Sequence, residues 1–155
     1  MNQWNSTIRV SKSRLKRSAI KPGKRKPGKP KTERQKLIER LDDIFRDIIR
    51  KRAGGFSEKS HLSAPHGQVA HWISRSNLRV RWDEDNAFFL GPGEHHWWAH
   101  KYPEKWRTWV REHIGEERFE NLLLKSRARG TFTTSRLKMM AIYLEQQLSQ
   151  QSPPE

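Results

Sequence analysis

Glycine and proline cut residues 32–150 into short pieces, and this punctuation limits the fold more than any other feature. Gly54-Gly55, Gly91-Pro92-Gly93, Pro103, Gly115 and Gly130 each end or start an element, because glycine frees the backbone and proline blocks a helix interior. The first piece, 32–53, reads as one helix. Thr32 opens it, with Gln35 three residues on as a capping-box partner. Leu37, Ile38, Leu41, Ile44, Phe45, Ile48 and Ile49 recur at spacings of three and four and form one apolar stripe. The stripe reads as core, with a homodimer seam as the lesser option. Arg50, Lys51 and Arg52 fall in the last turn, where they suit the helix dipole.

The next pieces are shorter. Residues 56–67 are a polar loop. Gln68–Ile73 reads as a strand, with Val69, His71 and Ile73 on one face and Ala70 and Trp72 on the other. Leu78–Trp82 alternates like another short extended piece, and Asp83–Asp85 make an acidic turn ending at Asn86. Ala87–Leu90 reads as a second strand. A helix starts at Glu94, a second at Pro103 and a third after Gly115; Thr133 or Thr134 caps a last one. That last helix is expected to bury Leu137, Met140, Ile142, Tyr143, Leu144 and Leu148. Trp97 and Trp98 read as core, with base-stacking platforms as the lesser option. The expected fold class is α+β, mostly helical: a helix at 32–53, a ββα unit at 66–101, supporting helices at 103–150 and a frayed tail at 151–155.

Charge sets the partner class. The chain carries 32 Lys+Arg against 17 Asp+Glu, a net charge of +15. Such a field favours a polyanion through counterion release and steering, with an anionic membrane surface as the weaker alternative. Residues 1–31 hold eleven Lys and Arg and no acid, interleaved with proline. They read as an extended, disordered basic arm, with Lys24, Arg25 and Lys26 in its densest part touching nucleic-acid phosphates; a solvated tail or a nuclear import signal would look similar. No apolar run approaches the ~18 residues of a membrane span, and no secretory signal opens the chain, so a cytoplasmic protein is expected. Cysteine is absent, which excludes disulfides and thiolate zinc sites.

The chemistry-bearing residues gather between 66 and 100. Cleaving a phosphodiester needs an activated water and a cation that stabilises charge on the phosphate and the leaving oxygen. A histidine held on a strand, His71, suits the base, since imidazole takes protons near neutral pH. Asn86 suits a hydrogen-bonding post for the base-bearing loop. His96 and His100 stand at i and i+4, a pair that can hold a divalent ion from one side of a helix. Arg75, Arg79 and Arg81 read as phosphate contacts near the cut.

Three pieces carry a resemblance: Ala70-His71-Trp72-Ile73-Ser74-Arg75, Arg81-Trp82-Asp83 through Asn86, and His96-Trp97-Trp98-Ala99-His100 followed by Pro103. Together they resemble the His-Asn-His (HNH) endonuclease superfamily with its ββα-metal unit, and within it phage recombination endonucleases of the NinG type, over roughly residues 56–125. The resemblance implies a metal-dependent DNA endonuclease of low sequence specificity in a bacterial host cell, acting on DNA that includes branched intermediates. It implies His71 as general base, Asn86 as loop holder, and His96 and His100 as holders of Mg²⁺ or Mn²⁺, with Zn²⁺ or Ni²⁺ as alternatives at a His-rich site. The chain departs from the pattern twice. Many relatives bind a structural zinc with two C-x-x-C pairs, where this chain has Ser57 and Ser60 and then Gly91-Pro92-Gly93-Glu94-His95; packing by the Trp-rich helices is expected to substitute. Ala70 stands where superfamily members often place a first metal ligand, leaving His66, His95 or Asp85 as additional ligands. A non-catalytic nucleic-acid-binding protein on the same scaffold (architectural, ribosome-associated or packaging) is the alternative function.

Overall fold

The computed structural model describes residues 30–99 and 101–150. Readings that fall on residues 1–29, His100 and 151–155, including Lys24, Arg25 and Lys26, lie outside the described residues. The observed order is α1 (Glu33–Ala53), β1 (Gln68–His71), β2 (Ala87–Leu90), a π-helical segment (Glu94–Ala99), α2 (Pro103–Ile114), α3 (Glu116–Arg127) and α4 (Thr134–Gln150). This is a mostly helical α+β fold with one two-stranded antiparallel sheet. No helix among the described residues is long and apolar enough to cross a membrane.

Local signals account for the element ends. The capping box at Thr32 and Gln35 is present, and Gly54 closes α1 in the left-handed region at φ 58°. Arg52, in the last turn, does more than complement the dipole: it donates to Glu58, to the Glu84 carbonyl and to the Ala87 carbonyl, tying α1 to the start of β2. Gly67 lies flat against Phe89, where a Cβ would come within 2.3 Å of the ring.

The sheet is sandwiched between two apolar layers, so β2 is buried at every position. Ala87 and Phe89 face a cluster built by Leu41, Phe45, Ile48 and Ile49 of α1 with Leu137, Ala141 and Leu144 of α4. Phe88 and Leu90 face Trp106, Val110 and Ile114 of α2 with Phe119 and Leu122 of α3. A strand buried on both faces reads as a continuous apolar run rather than an alternating one. The β1–β2 register pairs Val69 with Phe89 and His71 with Ala87, which turns Val69 and His71 toward α1.

Four local expectations need correction. β1 ends at His71, so Ile73 does not share its face and packs with Trp72 against the α2–α3 cluster. Leu78–Trp82 is a run of turns rather than an extended piece, because the Asn77 side chain accepts from Arg79 N and donates to the Ser126 carbonyl. In α4 the buried stripe is Leu137, Ala141 and Leu144, while Ile142 and Tyr143 are exposed. Trp97 is exposed and only Trp98 packs, edge-on to Trp106 and Trp109.

The connection between the strands, residues 72–86, has no strand or α-helix of its own. It is held by Asn86, whose side chain is fully buried. The Asn86 carbonyl accepts from Ile73 N at 2.7 Å, and its amide donates to the Ile73 and Val80 carbonyls at 3.0 and 2.8 Å. Only one orientation of the amide satisfies a backbone donor and two backbone acceptors at once. Asn86→Asp therefore sets a buried anionic oxygen against two carbonyls and should destabilise the protein by about 3–5 kcal/mol in urea denaturation. A loss below about 1 kcal/mol would show that these bonds do not hold the connection.

Candidate functional site

His71 closes β1 with its ring 6.0 Å from that of Phe45, centroid to centroid. Its Nε2 lies 2.9 Å from the Arg81 carbonyl. A carbonyl only accepts, so Nε2 carries the proton and the neutral ring keeps Nδ1 as an acceptor. Burial is the largest influence on the ring and pushes its pKa down to about 4; the Arg81 carbonyl opposes this, and the Arg75 charge adds to it. At neutral pH His71 is therefore an uncharged base with a fixed tautomer.

The loop that supplies this carbonyl is anchored to α1 by one carboxylate. Asp42 accepts from Arg81 Nε and Nη2 at 2.7 and 2.5 Å and from Trp82 Nε1 at 2.9 Å. Burial would raise the Asp42 pKa, but the Arg81 and Trp82 hydrogen bonds prevail and hold it low. The third arm of Arg81 donates to the Arg75 carbonyl at 2.7 Å. Asp42 thus fixes Arg81, and Arg81 sets both the carbonyl that orients His71 and the backbone that presents Arg75.

An open cavity of about 630 Å³ lies over this arrangement, lined by His71, Arg75 and His95 together with Asp42, Arg46 and Arg50 of α1. A smaller one of about 290 Å³, walled by Ala70, His71, His95, Ala99, Pro103 and Trp106, lies beside it. Arg50 and Arg75 enter no ion pair with a carboxylate among the described residues, whereas Arg46 pairs with Asp43 at 2.9 Å. Sequence reasoning treated α1 as core and missed this wall. The signal was there: Asp42, Arg46 and Arg50 are spaced four apart, which places them on one helix face.

The structure brings together only some of the expected site residues. His71 and His95 line the same two cavities, whereas His96 lines neither and sets its ring edge-on to Trp97. Segment 94–99 is π-helical, so an α-helical count of faces does not apply to it. His66 is exposed and lines neither cavity; Asp85 pairs with Arg118 and also stands apart from His71. Of the three arginines, Arg75 alone lines the His71 cavity. Arg81 is spent on Asp42, and Arg79 donates to the Gly130 carbonyl and lines a separate cavity. Among the described residues no three His, Asp or Glu side chains cluster as a metal-holding group.

Around the 57–60 loop the chain builds a hydrogen-bonded knot. Ser57 is buried and donates to Glu94, which also accepts from Gly91 N at 3.0 Å. Burial would raise the Glu94 pKa, but hydrogen bonds from Ser57, Ser60 and Gly91 and the charge of Lys59 keep it low. The carboxylate joins the 57–60 loop to the end of β2, a junction further covered by Lys59 lying 4.4 Å over the Trp98 ring.

No family model, curated protein or solved structure matches this chain.

The low pKa of His71 has a consequence for stability. Between pH 6.5 and about 4 the unfolded chain takes up a proton at this residue and the folded one does not, so stability falls as pH drops through that window. From pH 7 to 4.5, His71→Asn should lose about 2 kcal/mol less than the unmodified protein in urea titrations, partial exposure of the ring included. Equal losses would contradict the assignment.

Proposed function

We propose that the protein is a metal-dependent DNA endonuclease that hydrolyses phosphodiester bonds at His71, with low sequence preference. The observation that carries this reading is His71 itself: a neutral imidazole, locked at Nε2 by the Arg81 carbonyl, with Nδ1 as its remaining acceptor and a cation-lined cavity over it. That is the protonation state and placement required of a general base.

The roles follow from position. A phosphate entering the larger cavity meets Arg75 and Arg50, which neutralise it. Pairing with phosphate cancels the Arg75 charge that depresses His71 and so strengthens the base in the bound state. His71 Nδ1 then takes the proton from the attacking water, while Asn86 and Arg81 hold the ring and its loop in place. A divalent ion, Mg²⁺ or Mn²⁺, held by His95 at the cavity wall, would stabilise charge on the phosphate and on the 3′-oxygen that leaves. Phosphate and water oxygens would complete the shell; a hard Mg²⁺ would rest mainly on those oxygens, and the imidazole of His95 suits a softer ion such as Zn²⁺ or Ni²⁺ better. The net charge of +15 supports a nucleic-acid substrate and supplies sequence-independent affinity.

Incubation with plasmid and branched DNA tests the reading. Cutting is expected with Mg²⁺ or Mn²⁺, none with EDTA, and a fall of about 10³-fold or more for His71→Ala. Binding without cutting in any of these metals would instead favour a non-catalytic nucleic-acid-binding protein.

A further inference from the structure

In the π-helical segment and just before α2, two aromatic rings stand out of the core. Trp97 is 62% exposed and Tyr102 is 45% exposed, although Trp98, Trp106 and Trp109 next to them pack against one another. Lysines alternate with these two rings. Lys101 Nζ lies 5.2 Å from the Trp97 centroid and 5.9 Å from that of Tyr102, and Lys105 Nζ lies 5.2 Å from Tyr102. Neither lysine pairs with a carboxylate among the described residues. Ala99 and Pro103, in the same stretch of chain, wall the smaller cavity together with His71 and His95.

We propose that Trp97 and Tyr102, flanked by Lys101 and Lys105, form a stacking platform for unpaired bases of a DNA strand that runs into the His71 cavity. An exposed ring offers a flat apolar face, and a neighbouring ammonium offers charge for the adjacent phosphate. Their alternation matches the alternation of base and phosphate in a single strand. Paired bases in a duplex keep their faces covered by neighbours, so the platform selects unpaired DNA. A protein partner would gain from the aromatic faces but would leave both lysines to be neutralised, which on a chain of net charge +15 favours the polyanion. The destination of the strand rests on the endonuclease reading; the platform itself does not.

Fluorescence anisotropy on the full chain in EDTA separates the two. The probes are a labelled oligothymidylate of about twelve nucleotides, an abasic strand of equal length and a hairpin duplex. The oligothymidylate should bind more tightly than the abasic strand. Trp97→Ala should weaken oligothymidylate binding about tenfold, with Tyr102→Ala in the same direction, and leave abasic and duplex binding unchanged; Trp97→Phe should restore most of the affinity. Equal affinity of the unmodified protein for oligothymidylate and abasic strands would overturn the proposal without use of any variant. So would a Trp97→Ala loss of the same size on all three probes. Cleavage plays no part in these measurements, so base-dependent binding with an inactive protein sinks only the endonuclease reading, and cleavage without base-dependent binding sinks only the platform.

Discussion

A single buried amide organises the central part of this molecule. Asn86 satisfies one backbone donor and two backbone acceptors of the 72–80 connection from a position of zero exposure. Fifteen residues join two four-residue strands, and a connection of that length, whose only regular piece is a 3₁₀ turn at Glu84–Asn86, loses entropy on ordering that its own contacts must offset. Asn86 supplies those contacts from inside, at the residue that leads into β2. Apolar packing could not replace it, because the groups it meets are peptide N–H and C=O, which are costly to bury unpaired.

A second polar chain extends this order to the surface. Asp42 on α1 takes Arg81 and Trp82, Arg81 takes the Arg75 carbonyl, and the Arg81 carbonyl takes His71. The Asp42 and His71 links satisfy part-buried groups, and together the chain fixes three residues of the cavity wall, Asp42, Arg75 and His71. The result separates two kinds of arginine. Arg81 is a strut with its charge matched by Asp42, whereas Arg75 keeps its charge for the cavity. At the C-terminal end of β2, Glu94 performs a comparable joining role through Ser57 and Gly91. A hydrogen-bonded carboxylate gives direction without a metal, at the cost of holding a charge in a partly buried place.

Much of the fold was legible in the chain because its signals are local. The capping box at Thr32, the stripe from Leu41 to Ile49, the breaks at Gly54, Gly115 and Pro103, and the continuous apolar run of β2 each depend on neighbours in sequence. The position of His71 on β1 and of Asn86 just before β2 was legible for the same reason. What escaped depends on register or on distant partners. Trp97 and Trp98 are adjacent and alike, and only the π-helical turn and the α2 tryptophans decide which one packs against the core. His95 and His96 pose the same problem two residues earlier. In α4 the small Ala141 is buried where Ile142 and Tyr143 looked the better core residues, since the closeness of α1 admits a methyl group there. Arg75, Arg79 and Arg81 look equivalent in sequence; Asp42, 39 residues before Arg81, makes one of them structural.

The proposed endonuclease chemistry requires the cavity shared by His71 and His95 to take a divalent ion. Mn²⁺ titrated into isotope-labelled protein, observed through the histidine ring resonances, tests this most directly, because paramagnetic broadening falls steeply with distance from the ion. The ring signals of His95 and His71 should broaden at the lowest Mn²⁺ concentrations, ahead of those of His61, His66 and His113. Broadening that begins at His61, His66 or His113, or that reaches all the rings together, would contradict the account.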